Sequence, residues 1–454
     1  MLNKQYSFGL NTRNISTSNR TTSAVLIGSL KGSGKGSTSR IYKWCHQRTS
    51  DPISCVFQQF NTQEASTSSW TNISSIAQLN LGEITGNIGL NGQIILGGEN
   101  GGQIQYSTNL GNSWSAYPGS PNLPGGVIAG WSSVVMSDDT KYVIGTPYVS
   151  NSASSSDFTT YNGVWYKRDG VSNWTLLQSC TLEGTGTDLS FNNIDASGNK
   201  LLFIGSGISQ DGQYMSAITT PRSGTQNLVY LIFSNNYGAT WSATSFNPYT
   251  QDLVTTVTSS ISMSNGSGIA DYFLITSKLY YNNVQSRTEN GTMCVSGNGQ
   301  PFSNPTDVSG NDFIYSSISN NGQYQVVVTA TNPQSGNTSI PSRLYLSSNS
   351  GSSFSKIIEL TYIDDNNYLI FGGVSMSGDG SIITASVLNQ DGIFQYIYLS
   401  SNNGVTWKKV YNDNNGSVIN LSGIDSGFLN SNFSGQYQIL TGTNKLYLNN
   451  NYGN

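Results

Sequence analysis

Tyr106-Ser107-Thr108-Asn109-Leu110-Gly111-Asn112-Ser113-Trp114 decides how this chain is to be read. An aromatic strand end runs into Ser-x-Asn-x-Gly-x-Ser and closes on Trp. Asn bonds its own backbone and tolerates left-handed φ, Gly supplies positive φ, and the hydroxyls tie the turn, so the stretch is a hairpin. The spacing returns at Phe233-Ser234-Asn235-Asn236-Tyr237-Gly238-Ala239-Thr240-Trp241, at Leu346 to Phe354 and at Leu399 to Trp407. A degenerate copy keeps Asp169 and Trp174 with Gly170 displaced, and another near Tyr281, Asn282 and Asn283 has lost glycine and aromatic.

A second turn precedes each box, at Asn91-Gly92, Asp138-Asp139, Ser197-Gly198, Asn265-Gly266, Asn321-Gly322, Asp379-Gly380 and Ser434-Gly435. Between Gly92 and Gly435 the repeat averages about 57 residues, a length that suits a four-stranded blade. The last repeat ends at Asn449-Asn450-Asn451-Tyr452-Gly453-Asn454, a box without its Ser/Thr-Trp strand, and that strand stands alone near the start as Ser68-Ser69-Trp70-Thr71-Asn72-Ile73. Pairing the two ends would close the ring and remove two sheet edges.

The unit resembles the Asp-box, or BNR, repeat of sialidases, sortilin-type receptors and related propellers, with Asn in place of Asp at most positions. The resemblance covers roughly residues 61–454 and implies an all-β fold: a seven-bladed β-propeller with Asp-box turns, closed by the strand near Trp70. It also implies that the box residues are structural and distant from the ligand face. Residues 1–60 are expected to form a basic, largely extended N-terminal arm.

Composition agrees with this division. Charged residues are 10 % of the chain, well under the roughly one quarter of an average domain, while aromatic residues reach 11 % and supply a core. Residues 1–50 contain eight of the 20 Lys and Arg and none of the 24 acids, so the arm carries +8 and the remainder −12. Two parts so opposed in sign call for separate roles. Cys45, Cys55, Cys180 and Cys294 are too few to staple the chain and lack metal-ligand spacing; Cys45 and Cys55 lie close enough to bridge or to stay free. No apolar run has the length of a signal core or a spanning helix, so no membrane insertion is expected.

Catalytic readings fare poorly. The single histidine, His46, lies in the arm, which removes His-dependent triads and histidine metal sites from the propeller. A sialidase needs three arginines on a carboxylate; here Arg168, Arg222, Arg287 and Arg343 stand outside that family's Arg-Ile-Pro context. Asp157, Glu183, Asp188, Asp211 and Glu289 fall in expected loops and could pair for another glycosidase, although scattered loop acids are usually solvated. Gly28 to Ser37 lacks the spacing of a phosphate loop and reads as a Gly/Ser linker. Hence no catalytic residue, cofactor or metal is expected.

What remains is binding. The a–b and c–d turns of a blade share one face and the b–c and d–a loops the other, so long loops at 146–163, 205–228 and 329–342 bring Tyr148, Tyr161, Tyr214, Arg222 and Asn332 forward as contacts for a glycan or receptor. In the arm, Arg40, Tyr42, Lys43, Trp44 and Arg48 suit an acidic protein surface, with nucleic acid as the second choice. Propellers of this style with such an arm are similar to proteins of large DNA viruses of algae and protists. That resemblance implies a virion-associated protein whose arm docks on a capsid component. A glycan-active enzyme and a non-viral adhesin or assembly factor are the alternatives.

Overall fold

The computed structural model describes residues 70–149, 153–192, 201–219, 229–246, 308, 313–329, 341–411 and 428–452, with gaps at 83, 126–128 and 365–366, and in addition strands 23–29, 39–45, 58–61, 256–263, 273–279 and 293–296. The chain divides into two compact units, Met1–Ser66 and Thr67–Asn454. In the first, Ser23–Ser29, Ser39–Cys45 and Gln58–Asn61 form a three-stranded antiparallel sheet in chain order. The stretch read as an extended arm thus pairs with itself: Ala24 stands opposite Trp44 and Ile27 opposite Ile41. Val25-Leu26-Ile27 and Ile41-Tyr42 are the strand-favouring residues of this segment, and the Gly/Ser stretch separates the two strands in sequence. Arg40, Tyr42, Lys43 and Trp44 all belong to the second strand, and Arg48 lies outside the described residues.

In the second unit the described strands form seven sheets. Their first full strands are Ile84–Ile88, Ala129–Met136, Phe203–Ile208, Thr256–Met263, Phe313–Ile318, Asn367–Met376 and Phe428–Ser431. Each touches the corresponding strand of the next sheet, and the seventh touches the first, so these strands line a closed ring. The unit is a β-propeller. Strands are called a to d here from the ring outwards.

Burial follows from that geometry. Strands b are covered by neighbouring sheets on both faces, and Ile94–Gly98, Met215–Thr219, Gln325–Thr329 and Gln438–Gly442 are buried at every residue. The period-2 alternation of a half-exposed strand is lost there, as in any strand buried on both sides. Strand d lies at the rim, and in Ser115–Ala116 both residues are exposed. The core is therefore a set of wedges between sheets: Ile84, Ile88, Ile94 and Leu96 of the first pack with Ile439, Leu446 and Leu448 of the seventh.

Trp70–Asn72 supplies strand d of the seventh sheet, with Asn449 opposite Trp70 and Tyr447 opposite Asn72. Trp70 is fully buried among Leu388, Ile397, Leu399 and Leu440. Because the outer strand comes from one end of the chain and the other three from the opposite end, chain closure coincides with sheet completion.

The four clear boxes share one hydrogen-bond pattern. Gly111 N–H donates to Ser107 Oγ at 2.9 Å, Ser107 Oγ donates to Asn109 Oδ1 at 3.0 Å, and Asn109 Oδ1 also accepts from Ser113 N–H at 2.9 Å. The same three bonds recur around Ser234, Ser347 and Ser400. Leu110, Tyr237, Ser350 and Asn403, each just before the glycine, also have positive φ. The degenerate copy at Tyr281 to Asn283 lies outside the described residues.

Candidate functional site

The a strands bring hydroxyl and amide side chains to the centre of the ring, where they bound a cavity of about 270 Å³. Ser206 Oγ donates to Ser133 Oγ at 2.8 Å, Ser375 and Ser431 hydroxyls lie 2.8 Å apart, and Asn430 Nδ2 donates to Gly86 O at 2.6 Å. These bonds join neighbouring a strands where their backbones diverge and cannot form a ladder. Aliphatic side chains, among them Ile208, Ile318, Val374 and Met376, share the wall. Among the described residues that line the cavity, Asp138 is the one carboxylate, and none is Lys, Arg or His.

Asp138 belongs to a repeated a–b turn. In Ser209-Gln210-Asp211-Gly212-Gln213-Tyr214, Ser209 Oγ donates to Asp211 Oδ1 and accepts from Tyr214 N–H at 2.9 Å. Ser137 to Tyr142 and Ser319 to Tyr324 repeat it, and Ser377 to Ile382 does so with an aliphatic last residue. The second residue of each turn points its backbone at the next sheet. Leu90 N–H donates to Asp138 O at 3.0 Å, Asp138 N–H to Gln210 O at 2.8 Å, Asn320 N–H to Gly378 O at 2.7 Å and Gly378 N–H to Phe433 O at 2.7 Å. Side chains extend the circuit, through Asn320 Nδ2 to Gln210 Oε1 at 3.0 Å and Asn432 Nδ2 to Leu90 O at 3.4 Å. The described turns are thereby tied together at one end of the channel.

The turns also interlock sideways. A Cβ on Gly212 would meet the Tyr142 ring, one on Gly380 the Tyr324 ring, and one on Gly435 the Ile382 side chain. The residue that ends one turn occupies the space left by the glycine of the next.

Within this frame Asp138 is an exception, because it places a charge where other turns carry neutral groups. Its Oδ1 accepts from Phe433 N–H at 3.4 Å, and the Gln210 side chain also bonds the carboxylate. Its Oδ2 is buried with no hydrogen-bond partner. Burial, helped by the neighbouring Asp139 charge and opposed by those two hydrogen bonds, pushes the carboxyl up to about 6. A desolvated carboxylate in a cleft, paired with no Lys or Arg among the described residues, marks a candidate functional position.

The residues chosen from sequence are placed differently. Tyr148 lies near the end of strand b of the second sheet, Val143–Val149, and is half exposed, while Tyr161 ends the helix Ser155–Tyr161 of the b–c connection and packs against the core. Tyr214 does not accompany them. Residues 205–219 were expected in a long b–c loop, but Phe203–Ile208 and Met215–Thr219 are strands a and b of the third sheet, with Ile208 directly opposite Met215. Tyr214 therefore closes the a–b turn at the other end. The turn at Ser197-Gly198 was mistaken for this one because both carry the same small polar signature; it lies outside the described residues, as do Asn265-Gly266, Arg222, Arg287, Glu289 and Asn332.

Of the scattered acids, Asp157, Glu183, Asp188 and Asp211 are described, and none of these four lines the channel. Asp157 lies in the first turn of the helix, where its N–H donates to the capping Ser154 Oγ at 3.1 Å, and Asp211 is a turn residue. Glu183 and Asp188 belong to an added hairpin, Ser179–Leu182 with Asp188–Ser190, which pairs in parallel with the rim strand Ser242–Phe246 of the third sheet. Cys180 there is a free, buried thiol, pushed up to about 12 by burial. Sequence reading had taken Asp138 for a turn residue. Aligning the turns on Ser137, Ser209, Ser319 and Ser377 would have set it one place earlier, at the inward-facing position.

Comparison with solved structures returns propellers. YCF48 from Cyanidioschyzon merolae is 12% identical over 85% of this chain and 99% of its own, with a TM-score of 0.46. Virginiamycin B lyase from Staphylococcus aureus is 10% identical over 84% and 97%, with a TM-score of 0.44. A polysaccharide lyase, an ulvan lyase, is 10% identical over 85% and 94%, with a TM-score of 0.46. No family model and no curated protein sequence matches the chain.

Proposed function

We propose that this protein is a non-enzymatic binding protein: a seven-bladed Asp-box propeller that takes a ligand group into its central channel from the end opposite the interlocked turns. The supporting observation is the lining itself. Among the described lining residues, hydroxyls, amides and aliphatic groups surround a single carboxylate, a set that can hold a polar chain and includes no second acid–base group. Tyr148, near the end of strand b of the second sheet, and Tyr161, in the b–c connection that follows, would add flat contact area at the entry end.

The basic N-terminal unit is assigned a different task, docking on an acidic protein surface. The charge split supports this, and with exposed ion pairs worth about 0–1 kcal/mol each, several must act together and yield to salt. The placement in a virion on a capsid component rests on the style resemblance of arm and propeller.

The two tasks separate experimentally. Ser317, which lines the channel, is the place to plug it: Ser317→Trp should abolish capture of a glycan or peptide ligand from an array while leaving the fold intact. Deleting residues 1–66 should leave array binding unchanged and release the protein from its particle or complex. Ligand capture that survives the plug overturns the channel reading, and release of shortened glycan chains on incubation would establish an enzyme instead.

A further inference from the structure

Among the buried polar side-chain atoms of the described residues that have no hydrogen-bond partner, Asp138 Oδ2 is the one that belongs to a carboxylate. Asp138 is also one of the residues that line the cavity. Its Oδ1 accepts the long bond from Phe433 N–H, and the Gln210 side chain bonds the carboxylate. A native structure rarely leaves such an oxygen unmatched, and a bound cation or donor is a standard resolution.

The surroundings restrict what that donor can be. From the second sheet the charge that acts on the carboxylate is Asp139, which raises it further and is itself paired with Lys141 at 3.4 Å. The third, fifth and seventh sheets contribute Gln210, Asn320, Asn432 and Phe433, all neutral. The wall leading to Asp138 alternates Ile208, Ile318, Val374 and Met376 with serine hydroxyls. Such a shaft accommodates an aliphatic stem and its far end a positive charge.

We infer that the channel is a receptor for a primary ammonium group carried on a slender aliphatic stem, with Asp138 as the residue that takes the charge. The inference rests on the channel being the ligand site and specifies its chemistry. An anionic or bulky neutral headgroup is disfavoured, since the first meets the carboxylate and the second must displace the tied turns. Because the carboxylate titrates near 6, the bound ammonium should stabilise its ionised form, and binding should weaken as the site protonates.

The probe is n-butylammonium, followed by thermal denaturation and calorimetry on the full chain at pH 8 and pH 5. Binding is expected at pH 8, weaker by about tenfold at pH 5, with n-butanol inert and with Asp138→Asn reducing affinity at least tenfold at pH 8. Equal binding of butanol, or unchanged ammonium affinity in Asp138→Asn, overturns the inference. Should that variant fail to fold, the wild-type carboxyl can be followed by carbon NMR: its midpoint must fall on addition of butylammonium, and a fixed midpoint overturns the inference. Cadaverine and a lysine flanked by blocked glycines then distinguish a free diamine from a displayed side chain, the tighter one naming the source. If Ser317→Trp abolishes butylammonium binding yet keeps ligand capture on arrays, the ammonium site stands and the broader reading fails.

Discussion

At the turn end of the propeller, Ser107, Ser234, Ser347 and Ser400 each hold a glycine N–H and an Asn side chain in the same geometry, and the a–b turns bond to one another around the channel. At the loop end no two described connections are alike. The second sheet has a helix at Ser155–Tyr161 between strands b and c, and a hairpin follows its last strand. Both ends join the same kind of strand, so the difference lies in what each must do. Neighbouring turns touch and exclude variation, whereas loops project away from the ring and tolerate it. A change at the turn end should therefore cost stability, and a change at the loop end should cost binding.

The largest effect is expected where the ring is completed. Trp70→Ala empties a fully buried site beside Leu388 and Leu440, and should lose about 3–5 kcal/mol in urea unfolding. A loss under 1 kcal/mol would mean that the closing strand carries little of the fold.

Asp138 sharpens the comparison by being a turn-end residue placed for binding. Its carboxyl is raised in the folded state, so its contribution to stability is full below the unfolded value of about 3.8 and is lost as pH rises through about 6. Wild-type stability measured relative to Asp138→Asn should fall by about 3 kcal/mol between pH 3 and pH 8. A flat difference would show that the carboxylate is relaxed in place.

Gly404 tests the box itself. It has φ +79, and an added Cβ would lie 2.4 Å from Leu346 Cδ2, so Gly404→Ala should cost about 1–3 kcal/mol. Tyr148→Ala at the loop end, with its side chain half exposed, should stay within about 0.5 kcal/mol in the same assay. Comparable losses at both would erase the contrast between the ends.

The smallest expected change concerns Thr140, a β-branched residue at φ 62 where Gly212, Gly322 and Gly380 stand in other turns. Thr140→Gly relieves that strain but frees the unfolded chain, and a gain of about 0.5 kcal/mol, roughly a degree or two in Tm, is the expected balance.

The repeat, its hairpin turns and the missing outer strand at Trp70 were legible in the residues, because turn chemistry is local: Asn, Gly and Ser or Thr at fixed offsets satisfy one another within nine residues. Even so, identical signatures misled at Ser197-Gly198, where the true a–b turn was Asp211-Gly212, since a local pattern does not say which strands it joins. The meander of residues 23–61 was read as linker and arm because its Gly/Ser stretch and its cations outweighed two short apolar runs. The inward turn of Asp138 and its place among Gln210, Asn320 and Phe433 were decided by tertiary structure alone. Those neighbours lie some 70 to 300 positions away in the chain and meet only because seven sheets close into a ring, and burial, which sets the carboxylate's chemistry, is a property of that ring rather than of any segment.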